Sequence, residues 1–384
     1  MKKICYVVTI PVTIRAFFIP QLQYLAEHGF EVHVICSEDD GLQEVLGAKI
    51  KYIPLNMPRG ISVGGTIKAI KELIKIFKRE NYDLVQYSTP NAAFNASIAS
   101  KISKIKIRNY HLMGLRYEGD YGVKRTILKM MEKASCKLST HIECVSDSNM
   151  EIALRDNIFQ RSKATIVWNG STGGVDLERF NISKKTKWRR TILEEYGISG
   201  ERTVFGFVGR ITKDKGINEL LGAFQNILLN APDSMLILVG NFECEEELEQ
   251  EKLHWAKRSE NVIFVPSVHD VERYYAALDV LVLPSYREGF GNVVIEAEAM
   301  GVPVVVSNIP GPIDAMKNGV TGLQCQLKDQ DDLCTKMERL LNSDIRRKYS
   351  VAAREFVEQS FDSKVLCKKI YQRKRELLSS SLEL

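Results

Sequence analysis

Two kinds of hydrophobic pattern alternate from one end of the chain to the other. Short apolar runs predict strands at 3–9, 31–36, 50–53, 83–87, 105–110, 141–145 and 164–168 in the first half. In the second half they predict strands at 203–208, 235–239, 262–265, 279–283, 303–306 and 322–325. Between most of them, apolar residues recur at helical spacing. Several strand runs are apolar at nearly every position, as happens when a parallel sheet is covered on both faces. This order predicts an α/β protein of two doubly wound, Rossmann-like domains. The stretch Trp168-Asn169-Gly170-Ser171-Thr172-Gly173-Gly174-Val175-Asp176 is rich in Gly, Ser and Thr and reads as the segment between them. From Lys328 onward the pattern is helical. The expected division is therefore 1–175 for the first domain and 176–361 for the second, with a last helix from about 362, in the segment 362–384, crossing back to the first.

Length and composition agree with that layout without narrowing it further. At 384 residues the chain is long enough for two cores. With 45% hydrophobic and 26% charged residues it has an ordinary globular composition. The eight cysteines are scattered, with no Cys-x-x-Cys pair or Cys/His cluster, so neither a zinc site nor a redox motif is expected. Most lie in apolar contexts, as reduced buried thiols do, which points to the cytosol. Arg15 interrupts the apolar run that begins the chain, so Ile4 to Val8 reads as a buried strand rather than a signal peptide. No stretch is long and apolar enough for a transmembrane helix.

Charge separates the halves. Residues 1–175 carry 24 basic and 16 acidic residues, a surplus of 8, while the remainder has a deficit of 3. Two helical patterns in the basic half carry lysine stripes: Lys68, Lys71, Lys75 and Lys78, and Lys129, Lys133 and Lys137. They read either as ordinary outer helices or as a surface that docks on anionic lipid headgroups.

The chemistry concentrates in the second half. Glu288 and Glu296 bracket E-G-F-G-N-V-V-I-E, on a strand–loop–helix–strand unit. The Gly289-Phe290-Gly291 turn opens a helix, where backbone N–H groups bind anions. A carboxylate on each side supplies acceptors for hydroxyls. Phosphate donors together with hydroxyl acceptors describe a sugar-nucleotide site. Upstream, Phe207 to Gly216 reads F-V-G-R-I-T-K-D-K-G after another strand. Arg210 and Lys215 place two cations at its carboxyl end, suited to a diphosphate leaving group on which negative charge builds.

These motifs resemble the retaining glycosyltransferases of family 4, in which G-R-x-x-x-x-K-G and E-x7-E recur in this order. The resemblance extends to Gly301–Gly311, G-V-P-V-V-V-S-N-I-P-G. The segments Tyr110–Glu118 and Asn169–Phe180 are similar to the branch that builds capsules, exopolysaccharides and lipid-linked oligosaccharides. The resemblance implies the GT-B fold, with an acceptor-binding first domain, a nucleotide-sugar-binding second domain and a cleft between them. It implies that Arg210 and Lys215 hold the donor diphosphate, with Gly291, Asn292 and Val293. It assigns Glu288, Phe290, Gly291 and Asn292 to the donor sugar and Glu296 to the ribose. His111 lies where the family often has a histidine touching the donor sugar, although a histidine after a strand is as often structural. Arg15, Arg116 and Glu118 fall on the acceptor side. Two departures stand out: Thr9–Arg15 has no glycine where the family often has a Gly-rich turn, and Pro266-Ser267 replaces glycine in the loop that usually lies near the base.

The activity so implied is retaining transfer of a hexose from a nucleotide sugar, UDP-linked, to a glycan acceptor carried on polyprenyl diphosphate. Its setting is surface polysaccharide assembly in the cytoplasm, at the inner face of the cytoplasmic membrane. No metal or other cofactor and no nucleic acid is expected. Asp329-Gln330-Asp331 mimics a metal-binding Asp-x-Asp but precedes a polar helix, which suits a helix N-terminus. Two other classes stay open: a nucleotide-sugar 2-epimerase, which needs acid/base groups for a sugar proton, and a non-catalytic partner subunit.

Overall fold

The computed structural model describes residues 1–380 apart from Arg59, Ile61 and Glu201. Residues 381–384, the end of the segment expected to cross back, lie outside the described residues. The chain forms two compact units. One comprises Met1–Gly173 and the segment from Ser363 onward; the other is Gly174–Asp362.

The first unit holds seven strands: β1 (Lys2–Val7), β2 (Phe30–Cys36), β3 (Ile50–Pro54), β4 (Leu84–Tyr87), β5 (Ile107–Leu112), β6 (His141–Cys144) and β7 (Ala164–Ile166). They pair in the order β3-β2-β1-β4-β5-β6-β7, every pair parallel. Alternate residues of β1 feed opposite cores. Cys5 and Val7 pack with Val85, Tyr87 and Leu73 on one face. Ile4, Tyr6 and Val8 pack with Leu22, Val34 and Leu84 on the other. Two apolar faces explain why these strands read as unbroken hydrophobic runs. The second of these cores also takes Leu366, Ile370, Leu377 and Leu378 from the last helix, Ser363–Ser380. Each such side chain buried is worth roughly 2 kcal/mol, so the last helix belongs to the first unit's core.

The second unit has six parallel strands: β8 (Val204–Val208), β9 (Met235–Val239), β10 (Val262–Val265), β11 (Val280–Leu283), β12 (Val304–Ser307) and β13 (Gly322–Cys325). Their order is β10-β9-β8-β11-β12-β13. In both sheets the strand order reverses beside the first strand, between β1 and β4 and between β8 and β11. Loops leaving the carboxyl ends of those strands flank a crevice, the place where open α/β sheets bind ligands. All thirteen runs expected to be strands are strands, with no end shifted by more than two residues. The acidic segment at 329–331 does open a helix: Asp329 caps Gln330–Arg339 and accepts from the Asp332 N–H at 2.8 Å.

After β1 the glycine-free segment Thr9–Arg15 enters a helix at Pro11–Phe17, with Pro11 in its first turn. Proline pre-sets the backbone angle of a first helical turn and lacks an N–H that would be orphaned there. No helix among the described residues is long and apolar enough to cross a membrane. The cysteines are free thiols, all buried except Cys244.

Candidate functional site

In the second unit the motif residues meet through the two loops at the switch point. The loop after β8 ends at Gly216, which opens the helix Ile217–Asn230 with φ +71°. A Cβ there would stand 2.1 Å from the Pro284 carbonyl oxygen, so only glycine lets this loop lie against the loop after β11. The close approach brings Lys215 to Glu288. Its Nζ donates to Glu288 Oε1 at 2.5 Å, and both side chains are largely buried. Ser285 Oγ donates to the same carboxylate oxygen at 2.9 Å. The carboxylate is thus held from two sides at one oxygen, which leaves Oε2 to accept from a ligand. An ammonium has three donors, so the lysine retains two beyond the one on Glu288.

Arg210 lies in the same loop. It donates to Glu243 Oε2 at 2.7 Å, with both side chains about half exposed. Burial works against its charge, but Glu243 and the nearby Asp214 and Glu288 outweigh that and stabilise the guanidinium. An ion pair this exposed is worth little, so the arginine can exchange Glu243 for a phosphate at low cost. Tyr286 fastens the two loops again: its N–H donates to the Asp214 carbonyl at 2.8 Å and its hydroxyl to Glu219 at 2.6 Å.

The helix Asn292–Ala299 starts at Gly291, whose φ of +87° suits a residue without a side chain. The helix dipole turns its positive end toward the turn at 289–291, where anions are stabilised. The side chain of Phe290 does not face that turn. It is buried edge-on against Phe361, ring centroids 5.4 Å apart, so Phe290 anchors the loop and offers a ligand only its backbone. Val293 is half-buried in the first helical turn. One helical turn later, Glu296 Oε2 accepts from the Tyr275 hydroxyl at 2.9 Å. Burial pushes the Glu296 carboxyl up to about 7, against the pull of Tyr275 and Arg179.

The first unit carries the remaining expected residues. His111 ends β5 beside Glu143 of β6, at matching positions in the parallel pair. Its ring is buried, edge-on to Phe18 at 5.6 Å, with Nε2 3.3 Å from Thr172 Oγ1. Burial pushes its pKa down to about 4, with Glu143 raising and Lys374 lowering it. The three acceptor-side residues lie on two elements, Arg15 on the helix Pro11–Phe17 and the other two on one short turn. Arg15 pairs with Asp39 at 2.6 Å. Glu118 pairs with Arg125 at 2.9 Å. Arg116 is exposed on the short turn Arg116–Gly119.

Sequence reasoning missed the residues that hold the site's carboxylates. Ser285 lies just before the motif it supports, and a hydroxyl three residues before a glutamate was a usable signal. Tyr275, Glu243, Thr172 and the Glu143–Lys374 pair gave none, because each reaches its partner from a different element. No group of three or more His, Cys, Asp or Glu residues that could hold a metal occurs among the described residues.

With this geometry in hand, the chain can be compared with known proteins. Residues 189–356 match the family described as glycosyl transferases group 1, and residues 3–146 match glycosyl transferase 4-like. The capsular polysaccharide biosynthesis glycosyltransferase CapM of Staphylococcus aureus is 30% identical over 383 residues, covering 99% of this chain and 98% of that protein. The UDP-Gal:alpha-D-GlcNAc-diphosphoundecaprenol alpha-1,3-galactosyltransferase of Escherichia coli is 25% identical, over 94% of this chain and 93% of its own. Among solved structures, sucrose-phosphate synthase from Thermosynechococcus elongatus superposes with a TM-score of 0.80 at 20% identity, covering 99% and 100% of the two chains. Anabaena Alr3699/HepE in complex with UDP gives 0.78 at 19%, covering 98% and 100%. At those identities the likeness establishes the fold, the GT-B arrangement of two Rossmann-like domains.

Proposed function

The chain belongs to the glycosyl transferases of group 1, and from that premise we propose that it moves a hexose from a UDP-sugar to a polyprenyl-diphosphate-linked glycan in surface polysaccharide assembly, with retention and without a metal. The observation that carries this reading is the Lys215–Glu288 pair at the switch point of the second sheet. It sets a phosphate-binding cation and a hydroxyl-accepting carboxylate side by side, as a hexose joined to a diphosphate requires.

Lys215 and Arg210 hold the diphosphate and stabilise the charge that grows on it as the glycosidic bond breaks. The amides of the 291–293 turn add donors. Glu288 orients the sugar through Oε2, and Glu296 receives the ribose hydroxyls in its ionised form. Glu288 is not read as a nucleophile. Its carboxylate is hydrogen-bonded to an ammonium and a hydroxyl, which lowers its electron density and fixes it as an acceptor. The acceptor oxygen then bonds to the anomeric carbon on the face that the phosphate leaves, and its proton passes to the departing phosphate oxygen. For His111 the resemblance implies a contact to the donor sugar. As a neutral imidazole it can donate to or accept from a hydroxyl without placing a cation there.

The relatives' names support the lipid-linked acceptor, and the first unit's surface supports a site at the inner membrane face. The helix Val63–Glu80 exposes Val63 and Ile67 near its lysines. The helix Gly122–Leu138 exposes Val123 and Met130, with Tyr121 just before it. Apolar residues beside lysines suit an anionic headgroup layer.

The test is transfer from UDP-hexoses to a short-chain polyprenyl-diphosphate acceptor, with and without EDTA, and the anomeric configuration read by NMR. An α-linked product from an α-linked donor, formed equally in EDTA, is expected. A β-linked product would remove the retaining mechanism. A C2 epimer formed from donor alone would replace transfer with the epimerase reading. Flotation with anionic vesicles, reversed by salt, checks the membrane contact.

A further inference from the structure

Behind His111 lies a buried ion pair that the donor-site motifs do not account for. Lys374 projects from the last helix and is fully buried. Its Nζ donates to both oxygens of Glu143, at 2.9 and 2.7 Å. Glu143 stands beside His111 across the β5–β6 pair. His111, Glu143, Thr172, Gln21, Gln86 and Ile370 line one small cavity. A buried lysine reaching 231 positions back along the chain is costly unless paired, and packing alone would be met by leucine.

We propose that Lys374 is a positioning residue for His111: by clamping Glu143 from the last helix it supplies the counter-charge that lets burial keep the imidazole neutral beside a carboxylate. The argument is electrostatic. The titratable groups around the ring are Glu143 and Cys144 on β6, Tyr6 on β1, and Lys374 and Arg373 on the last helix. Burial pushes the Cys144 thiol up to about 12 and the Tyr6 hydroxyl well up, so neither carries charge near neutrality. Arg373 reaches Glu143 only at 3.9 Å, from a partly exposed position. Burial opposes the Glu143 charge, but Lys374 outweighs it and holds the carboxyl below its usual range, with Asn109 adding a hydrogen bond. Without Lys374, a buried carboxylate would face the imidazole alone, and the ring would take up a proton to satisfy it. His111 Nδ1 has no hydrogen-bond partner, so the site for that proton is present. The inference rests on the proposed role of His111 in the donor site.

Its test is made without substrate, so its failure is distinguishable from failure of the transfer reading. Histidine-labelled protein is titrated by NMR, with His111→Gln used to assign the ring. In the native protein the His111 signal is expected to hold its neutral position down to about pH 5. Lys374→Gln, which keeps a donor but removes the charge, raises the midpoint by at least one unit, a tenfold gain in proton affinity. Lys374→Arg restores the native titration, and so does Glu143→Gln/Lys374→Gln. In transfer assays Lys374→Gln shifts the acidic limb of its kcat profile upward by the same amount as the His111 midpoint, which a lost packing contact would not produce. A folded Lys374→Gln protein with the native His111 titration overturns the proposal. Should that variant not fold, Lys374→Met, which keeps the bulk of the side chain, decides: a raised His111 midpoint is expected, and a native titration overturns the proposal.

Discussion

The two units share one topology and use it oppositely. In each, a parallel sheet reverses order beside its first strand, and two loops leave the reversal side by side. In the second unit those loops meet as ions, Lys215 on Glu288. In the first they meet as neutral hydroxyls: Thr9 and Thr89 Oγ1 atoms are 2.8 Å apart, and the Thr9 N–H donates to Thr89 at 3.2 Å. The first unit's charges lie deeper, where Lys374 and Glu143 are hidden behind His111. The scaffold therefore supplies a crevice in both units, and the side chains on two loops decide whether it is built for a charged ligand.

The sharpest way to break this contrast is to remove charge from the second unit's reversal. Lys215→Ala is expected to lower kcat for transfer from a UDP-sugar by about 10²–10³, the scale for losing one donor to a developing anion. Thr9→Val at the equivalent place in the first unit should leave UDP affinity unchanged by titration calorimetry. Equal effects of the two substitutions on UDP binding would erase the distinction.

Stability should divide along the same line. Leu366→Ala opens a cavity in the first unit's core and is expected to cost about 2–5 kcal/mol. Calorimetry should show the first unit's transition moving down while UDP still raises the other. A pH experiment probes the second unit alone. Burial raises Glu296 to about 7, so below that pH the protonated form dominates, and it cannot accept from both ribose hydroxyls. UDP affinity should fall as pH drops through about 7, tending toward tenfold per unit. Glu296→Gln should bind more weakly with that dependence gone. The smallest effect belongs to the hydroxyl pair itself: Thr9→Val is expected to cost about 1 kcal/mol in denaturant unfolding.

The same division governs what could be read in advance. Strand positions and the doubly wound class were legible because burial on both faces leaves an unbroken apolar run, visible without any partner; the order of strands within each sheet was not. The donor motifs were legible because each occupies one loop and the start of the helix that follows. The first unit hid its chemistry for the converse reason. His111 has significance only beside Glu143, Lys374 and Thr172, which come from a neighbouring strand, the last helix and the segment between the units. Pattern reading sees neighbours along the chain, whereas this cluster exists only after three distant segments have packed. Arg15 shows what pattern reading leaves out: the cation after the first strand was visible, but its partner Asp39, in the loop after the next strand, was not.

The last helix has a consequence for how the molecule is made. A ribosome delivers the first sheet early but withholds Leu366, Ile370, Leu377 and the lysine paired with Glu143 until the whole second unit, Gly174–Asp362, has been made. The first unit therefore cannot complete its core before the second has been synthesised. While that stretch is being added, the nascent chain carries a sheet with one side lacking its cover and an acid awaiting its cation.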